Sequence, residues 1–217
     1  MAGMHTVAQG EYIAYIAAQY GFVSWQDIWN HPLNATLKSQ RQNPNVLFPG
    51  DQVYVPDPQV QNIAKPTDQT HNFKLKTSTL KLHLVLEDMY EKPIANAKCL
   101  LSLGANTYNV TTDGSGAINQ EIPPTVQNGV LIIQDDSQTA YGNVQIPILV
   151  GSLDPVDQLS GQQARLQNLG YFFGTIGSAA DDEFESAVEE FQCDNYLTVD
   201  GICGPVTQAK LKKVYGC

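Results

Sequence analysis

Residues Ala187 to Leu211 read AVEEFQCDNYLTVDGICGPVTQAKL, and the order of signals in this stretch decides how the C-terminal third folds. Phe184, Ala187, Val188 and Phe191 fall at i, i+3, i+4 and i+7, the apolar stripe of an amphipathic helix. Its aromatic residues are therefore read as core, and Asp181 or Asp182 caps its start. Asp200-Gly201 supplies a tight turn whose carboxylate satisfies nearby N–H groups. Gly204-Pro205 opens the next helix, with Pro at the first position where its missing N–H costs nothing. Thr207, Leu211 and Val214 face inward or lie at the core edge. Lys210, Lys212 and Lys213 complement the dipole at the helix end; contact with the carboxylates of a ligand is the alternative reading. Upstream, a helix carrying Gln162 to Leu169 stops at Gly170, which makes three short helices.

The order AVxxFQ, VDG, GPxT resembles the repeat of the small three-helix peptidoglycan-binding domain, and GQQARLQNLGYFFG is similar to its opening. The resemblance implies a cell-wall ligand. Asp200, Gly201, Gly204, Pro205 and Thr207 are structural in this reading. Sugar or stem-peptide contact is expected beside them, at Tyr171, Phe172, Asn195 and Tyr196.

The chain has 217 residues, enough for two or three modules. Hydrophobic residues make up 42% and charged residues 16%, a globular balance. The net charge is −10, and residues 151–217 hold ten acidic residues against four basic. Such a surface repels phosphate backbones, so nucleic acid is not an expected partner. No apolar run approaches the ~20 residues that span a bilayer. MAGMHTVAQG lacks a basic segment followed by an apolar one, so synthesis in the cytoplasm without a signal peptide is expected. Delivery to the periplasm or wall would then use another secretion machine. Cys99, Cys193, Cys203 and Cys217 show no C-x-x-C and no histidine at ligand spacing, so neither metal nor cofactor is expected. Cys193 and Cys203 bracket the motif and form a disulfide in an oxidising space, or else stay free buried thiols.

In the first module His5 to Val7 is a strand candidate. Ile13, Ile16, Ala17 and Tyr20 then form one helical stripe that ends at Gly21, where a glycine takes the left-handed conformation. Ser24 with Asp27 starts a second helix by a box-like cap. Pro49-Gly50 turns into a closing strand, Gln52 to Val55. The segments HTVxxGE, IAxxYGF and PNVLFPGDQVYVP resemble the LysM domain, a βααβ module that binds N-acetylglucosamine-containing glycans; His31 to Gln42 is longer than its usual connection. The resemblance implies a shallow groove between Gly10, Glu11, Tyr12 and Ile13 on one loop and Asn43, Asn45, Val46 and Leu47 on the other. Tyr12 either offers its face to sugar or packs on Trp25 or Trp29, and Ile13 is read as core.

From Phe73 the period switches to two. Strand candidates are Leu80–Leu86, Lys98–Leu103, Thr107–Thr111, Ala117–Ile122, Val130–Gln134 and Val144–Val150, separated by turn signals. Short strands without a helix signal suggest a small β-sandwich of immunoglobulin-like type. Asp113-Gly114-Ser115-Gly116 lacks the acidic positions of a calcium loop and is read as a hairpin turn. LxLxLxDxxxxPIxNA, TTDGSGxI and LVGSLDPVD resemble β-domains that precede peptidoglycan-binding domains in contractile injection machines, including type VI secretion spikes.

An enzyme is not expected. His5, His31, His71 and His83 are scattered, Cys193 and Cys203 have no His in their own module, and the carboxylates of 181–190 share one helix. The expected fold class is multidomain α+β: a LysM-like module (1–57), a linker (58–72), an immunoglobulin-like β-sandwich (73–150) and a three-helix bundle (151–217). The expected function is non-catalytic binding of peptidoglycan, or another N-acetylglucosamine-containing glycan, through both terminal modules. The alternative is an adaptor that docks spike or baseplate proteins of an injection system.

Overall fold

The structure is a computed structural model describing residues 2–58, 62–72, 79–134, 143–177 and 179–217. Phe73, where the β-domain is expected to start, and part of the expected linker lie outside the described residues. The buried residues fall into three apolar clusters in chain order.

The first cluster is built on β1 (Gly3–Thr6) and β2 (Gln52–Val55), paired antiparallel. Against them pack α1 (Ile13–Gln19) and the single-turn α2 (Gln26–Trp29). Gly21 follows the end of α1 with a positive φ of 77°, as its position predicts. The Ser24 cap is not formed: Trp25, already in the helical region, is the cap residue of α2 and makes no side-chain cap bond. The long connection folds as well. A 3-10 turn (Pro32–Asn34) leads into α3 (Ala35–Arg41), so the module has one helix more than the expected βααβ order.

Two polar contacts hold that insertion. Asn34, 1% exposed, donates from Nδ2 to the Ile28 and Tyr54 carbonyls at 2.8 Å each and accepts from Tyr54 N–H at 2.7 Å. Arg41 grips Asp51 with two bonds of 2.7 and 2.8 Å, the fork geometry that suits a carboxylate.

The second cluster lies between two antiparallel sheets. β3 (Leu80–Val85) pairs with β6 (Ala117–Ile122). The four-stranded sheet has the order β5-β4-β7-β8, with β4 Lys98–Leu103, β5 Asn106–Thr111, β7 Asn128–Ile133 and β8 Gln145–Leu149. Alternate residues such as Cys99, Leu101 and Leu103 are buried, as a period of two requires. The turn at Asp113 is not a hairpin, because β5 and β6 belong to different sheets. Its carboxylate accepts from Ser115 N–H, Ala117 N–H and the Ser115 hydroxyl, which turns the chain from one sheet to the other.

The third cluster is helical: α4 (Leu159–Asn168), α5 (Asp182–Asp194) and α6 (Pro205–Tyr215). Asp181 caps α5 by accepting from Phe184 N–H. Leu211 is buried, whereas Val214 is 45% exposed and leaves the core edge. Arg165, 1% exposed, donates to the Asp154 and Gly161 carbonyls and to that of Cys217, which ties the incoming chain to the end of α6.

All three parts meet at 151–157. Tyr12, at the start of α1, is 1% exposed, and its hydroxyl contacts the Val126 carbonyl at 2.7 Å and that of Pro124 at 3.0 Å. Gln127 Nε2 donates to the Gly10 carbonyl at 3.1 Å. Gly151 has a positive φ of 77°, and a Cβ there would run into the Tyr12 ring. Arg41 Nη1 lies 3.9 Å from Asp157.

This contact sets a test. Tyr12→Phe leaves two buried carbonyls short of a donor and should lower stability by about 1 kcal/mol. Gly151→Ala, which adds both strain and overlap, should cost more. Urea unfolding followed by circular dichroism checks both; an unshifted midpoint for Gly151→Ala would show that Tyr12 is not clamped there.

Candidate functional site

The two N-terminal loops do come together, because Ile13 N–H donates to the Pro44 carbonyl at 3.0 Å. What they present differs from the expected groove. Gly10, Tyr12, Ile13, Val46 and Leu47 are buried. Tyr12 packs on the β-module instead of facing sugar or packing on Trp25 or Trp29, and burial pushes its phenol well above the ordinary value. Glu11 is occupied internally, its carboxylate contacting His5 Nε2 at 2.7 Å and accepting from Ala8 N–H at 2.9 Å. Asn43 accepts from the N–H of Asn45, and Asn45 is the exposed member of the set. The sequence has no local mark for this burial, since the covering residues are over a hundred positions away.

In the C-terminal module the turn residues converge on a side chain that the motif reading passed over. Gln192 is 1% exposed. Its Nε2 lies 2.8 Å from Asp200 Oδ1, 2.9 Å from Thr207 Oγ1 and 3.1 Å from the Ile202 carbonyl. Its Oε1 accepts from Asp200 and Gly201 N–H at 2.9 and 3.1 Å. Gln192 follows Val188 by four residues and so continues the buried stripe; a polar residue at that position was the available signal. Gly201 has a φ of 69°, and a Cβ there would crowd the Glu185 side chain. Gly204 caps α6 and Pro205 is its first residue, as expected. The four cysteines are free, the second of the two readings for Cys193 and Cys203, although Cys193 is not buried. Cys193 is exposed on α5, whereas Cys203 packs against the core and burial pushes its thiol up to about 11.

The four expected contact residues separate. Phe172 is 1% exposed and stacks edge-on against Phe184, so it is core. Its neighbour Phe173, 81% exposed, is the outward ring; YFFG alone does not say which phenylalanine turns out. Tyr171 is half-buried against Phe191, and burial, with Asp194 beside it, pushes its phenol up to about 12. Asn195 donates to the Phe191 carbonyl and ends α5.

Tyr196 is 96% exposed at a φ of 56°. Its N–H bonds to the Cys193 carbonyl and the Leu197 N–H to that of Gln192, the Schellman pattern in which glycine usually fills the left-handed position. Ile202 and Val206 are also exposed, on the turn and at the start of α6. Among the described residues, no group of three or more His, Cys, Asp and Glu side chains is arranged to hold a metal. No described helix is long and apolar enough to cross a membrane.

Gln192→Leu should destabilise this module by about 1–3 kcal/mol, because the buried Thr207 hydroxyl and the part-buried N–H groups of the turn lose their partner; denaturant unfolding measures it. The bond from Gln192, with that from Ile202 N–H, holds the Asp200 carboxyl below its ordinary value. A lowered folded pKa gives stability that is complete above about 3.9, the unfolded value, and is lost as pH falls from there through the folded value. The melting temperature should therefore drop in that window, and drop less in Asp200→Asn.

No curated protein and no solved structure matches the chain. Residues 159–211, from the first residue of α4 to Leu211 in α6, match the family model described as "Putative peptidoglycan binding domain", which makes the C-terminal helical module a peptidoglycan-binding-domain match.

Proposed function

We propose that this chain is a non-catalytic peptidoglycan-binding protein whose C-terminal module supplies the principal contact. The carrying observation is Tyr196, on the module that matches the family model. A non-glycine residue in the left-handed region costs about 1–2 kcal/mol. This one recovers nothing by burial, since 96% of it faces solvent. Strain retained on an exposed aromatic favours a ligand contact over a structural role. Phe173, Ile202 and Val206 add further exposed apolar surface on the same module.

The N-terminal module, similar to LysM in its motifs, is a second wall contact in this reading, and the β-module is the platform that holds it. Two weak contacts on one chain gain affinity through effective concentration. The meeting of three modules at 151–157 also suits a docking component of an injection apparatus. Co-purification with spike or baseplate proteins tests that second reading.

The main reading has a test in which stability and binding move in opposite directions. Tyr196→Gly should raise stability by about 1 kcal/mol through relief of strain, while retention on purified sacculi falls several-fold. A stabilised variant that still binds sacculi like the parent would remove Tyr196 from the contact. Failure of the parent chain to sediment with sacculi at low and moderate salt would remove the function.

A further inference from the structure

Beside the Tyr12 contact the N-terminal and β-modules part, leaving a cleft of about 810 Å³. One wall is α1 and the segment after it, with Ala17, Phe22 and Trp25; the other is β5 and β6, with Tyr108, Gln120 and Glu121. The size falls within the range of ligand sites, roughly 300–1,000 Å³. Pro124, whose carbonyl contacts the Tyr12 hydroxyl, also lines the cleft, so the clamp that joins the modules sets its width.

We propose that this interdomain cleft is a sugar-binding site, which takes a neutral pyranose chain between Trp25 and Tyr108. Aromatic side chains stand on both walls, and Trp25 and Tyr108 are each partly exposed. A pyranose ring has an apolar C–H face that packs on such rings and a hydroxyl rim that needs polar partners. Gln120, whose Nε2 donates to the Glu121 carbonyl at 2.9 Å, offers its amide oxygen at the β-module edge, which Glu121 also lines. A purely apolar ligand would desolvate this edge, where, of these two side chains, only the Gln120 Nε2 keeps a partner among the described residues. An anionic ligand would meet Glu121 within a chain of net charge −10. A neutral sugar chain satisfies both constraints. The site lies on a different set of residues from the Gly10–Ile13 and Asn43–Leu47 loops, and it gives the β-module a share in binding. It rests on the wall-binding reading only for the choice of sugar.

The two tryptophans make the test direct. Trp25 lines the cleft, whereas Trp29 is 4% exposed in the core, so a ligand-dependent change in tryptophan emission reports on the cleft. The full chain is titrated with chitohexaose, an N-acetylglucosamine hexamer without peptide stems, and affinity is measured in parallel by calorimetry. A saturable emission change is expected, with affinity at least tenfold weaker in Tyr108→Ala and several-fold weaker in Gln120→Ala. Gln120 shares a strand face with buried Ile118 and Ile122 but is itself only half-buried and not a member of the apolar cluster, so its variant stays informative if Tyr108→Ala unfolds. No saturable response from the folded chain, or unchanged affinity in Gln120→Ala, overturns the site. Sacculus binding that persists and depends on Tyr196 would then leave the function standing without the cleft.

Discussion

The burial of Tyr12 under Gly151 is the contact on which the arrangement of this molecule depends. Fully burying an aromatic side chain is worth about 1.5–3 kcal/mol, and here the phenol also keeps two carbonyl partners. The cost falls on the β-module side, where position 151 has no room for a Cβ. Gln127 and Arg41 add polar contacts around the same junction. The N-terminal module is thereby held by its α1 start, the edge where its motif places a sugar groove. Its opening loop becomes an internal surface, and the free space moves to the cleft between the modules.

The C-terminal module solves a different problem. Its α5–α6 connection buries little of its apolar mass, with Tyr196, Val199 and Ile202 exposed, yet the turn must be rigid. Gln192 supplies that rigidity by pairing a buried amide with both main-chain and side-chain groups of the turn. Both polar atoms of the buried Gln192 amide have partners, which makes a buried polar group stabilising. With the turn fixed, the left-handed Tyr196 just before it is tolerated, and its ring is displayed to solvent. Rigidity in one residue carries strain in another, four positions along.

Most of the secondary structure was legible from periodicity and turn chemistry. Lys98–Leu103, Ala117–Ile122 and Gln52–Val55 appear with the bounds that alternation implied. The Asp181 cap, the glycine after α1 and Pro205 at the start of α6 follow from local chemistry alone. The Ser24 cap and α3 within the long connection were local signals misread or passed over. The hairpin at Asp113 and the groove at Gly10–Ile13 required knowing what lies opposite, and adjacency in sequence does not supply that. Phe172 and Phe173 were indistinguishable for the same reason: consecutive residues outside a helix or strand have no period to sort them.

By itself, the amino-acid sequence determined most of the helices and strands, the Asp181 cap and the C-terminal motif, because each rests on interactions within a few residues or on a fixed period. Tertiary structure alone decided which side chains remain available to a ligand. Tyr12 and Tyr196 are both tyrosines at helix ends, one 1% and the other 96% exposed. The difference is set by Val126 and Gly151, more than a hundred residues from Tyr12, and by the lack of any such cover over Tyr196. Exposure is a property of the packed molecule, and for this chain it relocates the candidate binding surface.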